Sequence, residues 1–127
     1  MSLVLADTSV WVAHFRHANP VLQSLVAMDR VLCHPLVLLE LACGTPPAPR
    51  QQTLADLGSL QQAAVASTGE VLALIEKARL YASGCGAVDV ALLASVLLTP
   101  GALLWTADKS LHAQAGRLDV AFAAVRQ

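Results

Sequence analysis

The chain has 127 residues, of which 56% are apolar and only 13% are charged, with a formal net charge of −1. This composition excludes an intrinsically disordered chain, which requires low hydrophobicity and high net charge. The near-neutral balance also lacks the basic footprint typical of many nucleic-acid-binding surfaces. The length predicts one domain spanning residues 1–127, large enough to bury a core.

The apolar content raises the question of a membrane span, which the residue pattern answers. A spanning helix needs about 20 predominantly apolar residues. The most apolar window, Val88 to Trp105, is interrupted by Asp89 and by Pro100-Gly101. The N-terminus has no basic segment of the kind that opens a signal peptide. We therefore expect a cytoplasmic protein with no membrane partner.

The first quarter of the chain predicts two buried strands and two helices. Leu3–Ala6 is a short apolar run without polar alternation, which is typical of a strand buried on both faces. Asp7–Ser9 contains residues that favour turns and helix N-caps, and Val10–Phe15 follows as a short helix. Asn19-Pro20 combines a capping residue with a first-turn proline and predicts a second helix. Val31–Cys33 is the second predicted strand.

The middle of the chain contains its clearest structural break. A helix is predicted from Pro35 to Gly44, and the proline-rich segment Thr45–Pro49 then forms a stiff connector. Arg50–Leu60 predicts a further helix. Ala63–Ala66 is a candidate for the third strand.

The second half begins with a capping box formed by Ser67 and Glu70, and the helix that it opens is expected to run to about Ala82. Val88–Leu98 is apolar almost all round, which predicts a deeply buried helix. The remaining predicted elements are the strand Leu103–Trp105, a short helix after Asp108 and a last strand over Val120–Val125.

Short apolar strands that alternate with helices predict an α/β fold with a largely parallel sheet. In such sheets, functional sites form at the carboxyl ends of the strands. Cys33, Cys43 and Cys85 show no C-x-x-C spacing, so we expect buried reduced thiols rather than disulfides or a zinc site.

Four acidic residues draw attention because of where they lie. Asp7 and Asp108 directly follow predicted strands, and Asp89 lies in the first turn of the most apolar helix. Glu40 is surrounded by leucines, where a carboxylate is costly to bury unless it is paired or binds a metal. Carboxylates that share one edge repel each other, and a hard divalent cation such as Mg²⁺ or Mn²⁺ removes this conflict. The set therefore points to metal-dependent hydrolysis of phosphodiesters.

Each of these acids also has a purely structural explanation. Asp7 and Asp108 could cap the helices that follow them, and Asp89 would favour the dipole of its helix in any case. Glu40 could be half-exposed on a helix flank. These explanations do not account for four acids converging on one predicted edge.

Each of the four acids lies in a distinct segment of the chain, and these segments are Leu5–Val12, Leu38–Gly44, Gly86–Ala94 and Leu104–Leu111. They resemble the successive motifs of PIN-domain ribonucleases, in particular the VapC toxins of bacterial toxin–antitoxin pairs. They occur in the family's order, and the resemblance covers essentially the whole chain.

The resemblance implies a three-layer α/β/α sandwich with a central, mainly parallel sheet. It implies that Asp7, Glu40, Asp89 and Asp108 ligate Mg²⁺ or Mn²⁺, directly or through water. Thr106 would support the site by hydrogen bonding, with Thr8 or Ser9 as a second helper.

The same resemblance implies a function. The protein would be an endoribonuclease that cleaves RNA with metal-activated water and leaves 5′-phosphate and 3′-hydroxyl ends. It would act as the toxin of a pair, form a homodimer and be silenced by a cognate antitoxin protein. An alternative is a catalytically silent PIN fold that serves as a binding or assembly module.

Two positions depart from the family pattern. Ala13 and Ser110 stand where many relatives have acids, which could thin the outer part of a metal site. Two other classes with an acidic sheet edge fit less well. A phosphoreceiver domain needs an acid after its third strand, and a haloacid-dehalogenase-type phosphatase needs Asp-x-Asp where this chain has Ser9.

If four of the nine acids bind metal, the eight basic residues outnumber the acids that remain. The near-neutral total is then compatible with a nuclease.

Overall fold

The structure, a computed structural model, describes residues 2–124. Within them, four strands form a single parallel sheet in the order β3-β2-β1-β4. The strands are β1 (Leu3–Ala6), β2 (Val31–Cys33), β3 (Gln61–Gln62) and β4 (Ala102–Trp105). Helices flank the sheet in a three-layer α/β/α arrangement, as expected from the alternation of apolar strands with helical patterns.

The described part of the chain contains seven helices. They are α1 (Thr8–Arg16), α2 (Pro20–Ala27), α3 (Pro35–Cys43), α4 (Arg50–Gly58), α5 (Thr68–Lys77), α6 (Ala87–Leu98) and α7 (Lys109–Arg117). None of the helices in residues 2–124 is long and apolar enough to cross a membrane.

The central strand explains why the chain opens with an unbroken apolar run. β1 pairs with β2 on one side and with β4 on the other, so both of its edges are hydrogen-bonded. Val4, Leu5 and Ala6 are fully buried, because helices cover both faces of a parallel sheet. Trp11 and Trp105 are buried as well and belong to the core.

The prediction of a third strand over Ala63–Ala66 is wrong, because β3 ends at Gln62. After Ala63, whose N–H donates to the Cys33 carbonyl, the backbone N–H groups bond to side chains in α6 and at its C-cap instead of to a strand. The Ala64 N–H donates to Thr99 Oγ1 at 2.9 Å and the Ala66 N–H donates to Ser95 Oγ at 3.1 Å.

Helix α5 ends five residues earlier than the predicted end near Ala82. Arg79 takes a left-handed φ of 54°, and the Leu80 N–H bonds back to the Ile75 carbonyl at 2.9 Å. This is a Schellman ending, which glycine usually provides. Here the burial of Leu80, which is 2% exposed, stabilises the ending although its left-handed residue carries a side chain.

The last predicted strand is reduced to a single parallel bridge between Ala121 and Leu104. The Leu104 N–H donates to the Val120 carbonyl, and the Phe122 N–H donates to the Leu104 carbonyl. Val125, the end of the predicted strand, lies outside the described residues.

A buried histidine joins the sheet to α6. His34 is 1% exposed and caps α3, because its Nδ1 accepts the Leu36 N–H at 3.0 Å. Its Nε2 lies 2.9 Å from Ser95 Oγ, which itself donates to the Ala91 carbonyl. Since Nδ1 accepts, the proton of the neutral ring sits on Nε2 and is donated to Ser95.

We expect stability to fall on acidification because of His34. Burial lowers its pKa below the ordinary 6.5, so the unfolded chain takes up this proton at a higher pH than the folded chain. The contribution of the neutral ring to the free energy of unfolding is complete above pH 6.5. It is lost as the pH falls below this value, by at most about 1.4 kcal/mol per pH unit.

Urea unfolding between pH 7.5 and 5.5 measures this effect. His34→Asn keeps a capping side chain but cannot titrate, so its free energy of unfolding should depend less on pH than that of the wild type. Equal slopes in the two proteins would contradict the assignment.

Candidate active site

The carboxyl ends of β1 and β4 meet at one edge of the sheet. Ala6 pairs with Trp105, and the Asp7 N–H donates to the Trp105 carbonyl at 3.0 Å. The residues that follow the two strands, Asp7 and Thr106, are therefore neighbours in space although they are 99 positions apart in the chain.

The Asp7 carboxylate is buried, with only 5% of the residue exposed. Its Oδ1 accepts the Val10 N–H at 3.2 Å, which caps α1, and the Ser9 hydroxyl at 2.5 Å. Its Oδ2 accepts the Thr106 hydroxyl. A buried carboxylate is tolerated only when such donors replace water. The three donors also hold the carboxylate in one orientation.

The donors of Asp7 are themselves tied to the loop after β4. Thr106 Oγ1 accepts the Asp108 N–H at 3.0 Å, and Ser9 Oγ accepts the Ala107 N–H at 3.0 Å. The two hydroxyl oxygens lie 3.5 Å apart. Thr106 thus donates to Asp7, and Ser9 is a second hydroxyl on the same carboxylate.

Asp89 and Asp108 face the same region from α6 and α7. Asp89 Oδ2 accepts the Gly86 N–H at 3.2 Å, and Asp108 Oδ1 accepts the Leu111 N–H at 2.9 Å, so each fixes the start of its helix. Partial burial raises the pKa of Asp89, and the charges of Asp108 and Asp7 raise it further, against the opposing effect of the Gly86 N–H. The three carboxylates therefore act on one another electrostatically.

Glu40 reaches this edge from α3, but not as the sequence suggested. The leucines around it predicted a carboxylate that is costly to bury, whereas the residue is exposed. Of its two neighbours along the helix, Leu41 turns inward and is only 4% exposed, whereas Leu39 shares the outer side and is 59% exposed. Glu40 Oε1 accepts the Thr8 hydroxyl at 2.6 Å, which links it to the first residue of α1 and so to the neighbourhood of Asp7.

The donor set suits a hard divalent cation, since it consists of carboxylate oxygens whose mutual repulsion adds to the rise in the pKa of Asp89 that burial causes. Within residues 2–124, however, no three Asp, Glu, His or Cys side chains are close enough together to form a ready metal-binding group. The structure thus brings the four acids to one edge without gathering them into a compact ligand set. It also realises their capping roles, because Asp7, Asp89 and Asp108 each cap a helix.

Cys85 belongs to this edge, which sequence reasoning did not detect. Its thiol is half-buried, and burial raises its pKa, with further contributions from Asp89 and Asp108. The expectation of three buried thiols is wrong for Cys43, which is exposed at the end of α3.

The two departures from the family pattern lie on different helices. Ala13 is exposed on α1, and Ser110 lies in the first turn of α7.

The loop before α6 packs tightly against the start of α7. Gly84 has a φ of +87°, and a Cβ placed on it would lie 2.8 Å from Ser110 Oγ and 3.3 Å from Ser110 Cβ. Only glycine combines this left-handed backbone with such a close approach. The contact holds the Gly84–Asp89 segment beside Asp108, on which the spacing of the acids depends.

An acidic edge at the carboxyl ends of a parallel sheet places the chain in the class of α/β proteins whose functional site lies outside the strand ends. Residues 4–117 match the PIN domain family. The chain therefore belongs to the PIN domain family.

Two relatives extend this match to nearly the whole chain. Each is named Ribonuclease VapC32, one from Mycobacterium tuberculosis strain CDC 1551 / Oshkosh and one from strain ATCC 25618 / H37Rv. Each is 46% identical over 121 residues, which is 95% of this chain and 97% of the relative.

We expect Thr106→Val to destabilise the protein by about 1–3 kcal/mol, because the buried Asp7 carboxylate loses a donor without gaining water. Thr106→Ser keeps the hydroxyl and serves as the matched control. Urea unfolding at pH 7.5 measures both variants. Equal losses in the two variants would show that the hydroxyl does not carry the effect.

We expect Gly84→Ala to destabilise the protein by about 1 kcal/mol or more, since alanine must adopt a positive φ beside Ser110. Ser110→Gly removes the steric part of this cost but not the backbone part. The double variant should therefore lose less stability than the sum of the single variants, a coupling that a double-mutant cycle measures. Strict additivity would refute the contact.

Proposed function

We propose that this protein is a Mg²⁺- or Mn²⁺-dependent endoribonuclease that acts as the toxin of a toxin–antitoxin pair. The observation that carries the proposal is the buried Asp7 carboxylate at the carboxyl edge of the sheet, which three hydrogen-bond donors hold in one orientation and which Thr106 ties to the backbone of Asp108. Membership of the PIN domain family and the 46% identity to two proteins named as ribonucleases support it.

Asp7, Glu40, Asp89 and Asp108 are the residues proposed to hold the metal. When bound, a divalent cation supplies Lewis-acid polarisation of the scissile phosphodiester and a nucleophilic water at neutral pH. The chain's own contribution is to fix the carboxylates in place. Asp7 is held by two hydroxyls and a backbone N–H, whereas Glu40 is held by the single hydroxyl of Thr8.

This difference in anchoring suggests a division of roles. Asp7 is buried and cannot turn without breaking three hydrogen bonds, so it is suited to define the position of the scissile bond. Glu40 is exposed and has only the one bond to the Thr8 hydroxyl, so it can adjust to the substrate. Thr106 is a positioning residue, because it acts through Asp7 and through the backbone N–H of Asp108.

The proposed partners are an RNA substrate, a cognate antitoxin protein and a second copy of the chain in a homodimer. An RNA substrate makes the cytoplasm the expected compartment. Several large apolar side chains are exposed and could serve a protein interface. They include Val26, Met28, Leu39, Val65, Leu72, Tyr81, Leu97 and Leu98.

Asp7→Asn separates the chemistry of the site from its folding. Asparagine is as good an N-cap as aspartate, and its carbonyl oxygen can keep the bonds to Val10 and Ser9. We expect the variant to stay folded and to lose metal-dependent RNA cleavage by at least about 100-fold, because a charged metal ligand is removed.

The measurement is sequencing of cleavage ends after induction, together with growth of the host cells. Asp119→Asn makes the same chemical change at an exposed position after α7, where a left-handed φ of 63° suits asparagine equally well. It should cleave RNA and arrest growth like the wild type. Cleavage by Asp7→Asn at the wild-type rate would refute the proposal. A folded wild type that never cleaves RNA would favour the alternative of a catalytically silent binding module.

A further inference from the structure

A pocket of about 500 Å³ lies directly beside the candidate active site. Thr8 and Glu40, which are hydrogen-bonded to each other at 2.6 Å, form part of its wall. The pocket continues along α1 and α3 to the loop that follows α3, which includes Gly44–Pro47. The pocket and the acidic edge therefore share part of one wall.

The pocket combines an apolar surface with one cation. Val12 and Phe15 follow Thr8 at helical spacings of four and seven residues and line the pocket from α1. The Phe15 ring packs on the Trp11 ring with centroids 6.1 Å apart, which limits its movement. Arg16 lies at the exposed end of the same helix and also lines the pocket.

The loop wall is held in place before any ligand binds. Arg50 donates to the carbonyl oxygens of Ala42 and Gly44, the latter at 3.2 Å. Thr53 Oγ1 donates to the Pro47 carbonyl at 2.7 Å. Because this wall is preformed, binding of a ligand does not have to order the loop, and the entropic cost of binding is lower.

We propose that this pocket binds one unpaired RNA nucleotide next to the scissile phosphodiester, with its base against Phe15 and a neighbouring phosphate near Arg16. The inference rests on the proposed function and names the part of the substrate that this side of the site recognises. The volume falls within the range of ligand pockets. Proteins that bind single-stranded nucleic acids stack the bases on aromatic rings and contact the phosphates with basic side chains such as arginine.

The charges favour a nucleotide over an apolar peptide as the occupant. Arg16 is a cation within a wall that also contains the carboxylate of Glu40. A phosphodiester chain that runs from the metal-holding acids to Arg16 meets a favourable charge at both ends of the pocket, provided that the acids hold their cation. An apolar peptide segment would offer Arg16 no counter-charge.

The test uses the full-length protein and a randomised single-stranded RNA pool. Cleavage ends give the base preference at each position, and the best oligonucleotide from the pool then gives kcat and KM. We expect Phe15→Leu to raise KM about tenfold through loss of stacking, with little change in kcat. The base preference should weaken at one position beside the cut, and Phe15→Tyr should restore both properties.

Arg16→Gln should also raise KM. Because one phosphate contact is lost, the slope of log KM against log salt concentration should fall by about 1. Lys77→Gln, which removes an exposed charge at the end of α5, controls for non-specific attraction. Phe122→Leu controls for the loss of an aromatic ring, since Phe122 packs on Trp105 outside this pocket. Mn²⁺ binding, measured by calorimetry, should be unchanged in Phe15→Leu and Arg16→Gln.

Unchanged KM and unchanged base preference in both pocket variants would overturn the inference. So would a loss of binding to a co-expressed antitoxin with no effect on RNA, because the pocket would then be a protein-docking site. If the wild type cleaves no RNA, fluorescence anisotropy with labelled oligonucleotides still decides the matter. Wild-type binding that Phe15→Leu and Arg16→Gln weaken supports the pocket, and absence of such binding refutes it.

Discussion

The hydrogen bond from the Thr106 hydroxyl to the buried Asp7 carboxylate joins the ends of two neighbouring strands. A carboxylate with 5% exposure is tolerated only with donors around it, so the loop after β4 must take one conformation for the chain to fold. Because Thr106 also accepts the Asp108 N–H, the same contact orients the start of α7. Folding and the geometry of the acidic edge therefore depend on one small network.

At this edge of the sheet, a carboxylate that holds the start of a helix can also have a role in the site. Asp89 uses Oδ2 to cap α6 and Asp108 uses Oδ1 to cap α7, so each has a second oxygen outside its capping bond. Capping restricts the rotation of a carboxylate, and a ligand that is already oriented costs less to organise around a cation. In this fold the helix caps serve as supports for the proposed metal site.

The acidic edge also explains how a chain with a near-neutral net charge is compatible with the proposed RNA substrate. The carboxylates are concentrated where β1 and β4 end, and their repulsion adds to the rise in the pKa of Asp89 that burial causes. Arg16 lies on the far side of the adjoining pocket from this repulsion. The uneven placement of charge, and not its total, is what matters for a polyanionic substrate that bridges a cation and an arginine.

Local patterns in the sequence determined the strands β1, β2 and β4, the helix starts at Asn19 and Ser67, and the order of the four motifs. These features depend on short apolar runs and on capping side chains, which act over a few residues. Tertiary structure alone decided the shortness of β3, the early end of α5 at Arg79, the exposure of Glu40 and the pocket beside it. Each of these depends on a partner distant in the chain: side chains in α6 and at its C-cap took the backbone bonds of Ala64 and Ala66, and burial of Leu80 fixed the turn after α5. No local pattern encodes such partners, since their contribution exists only once the layers have packed.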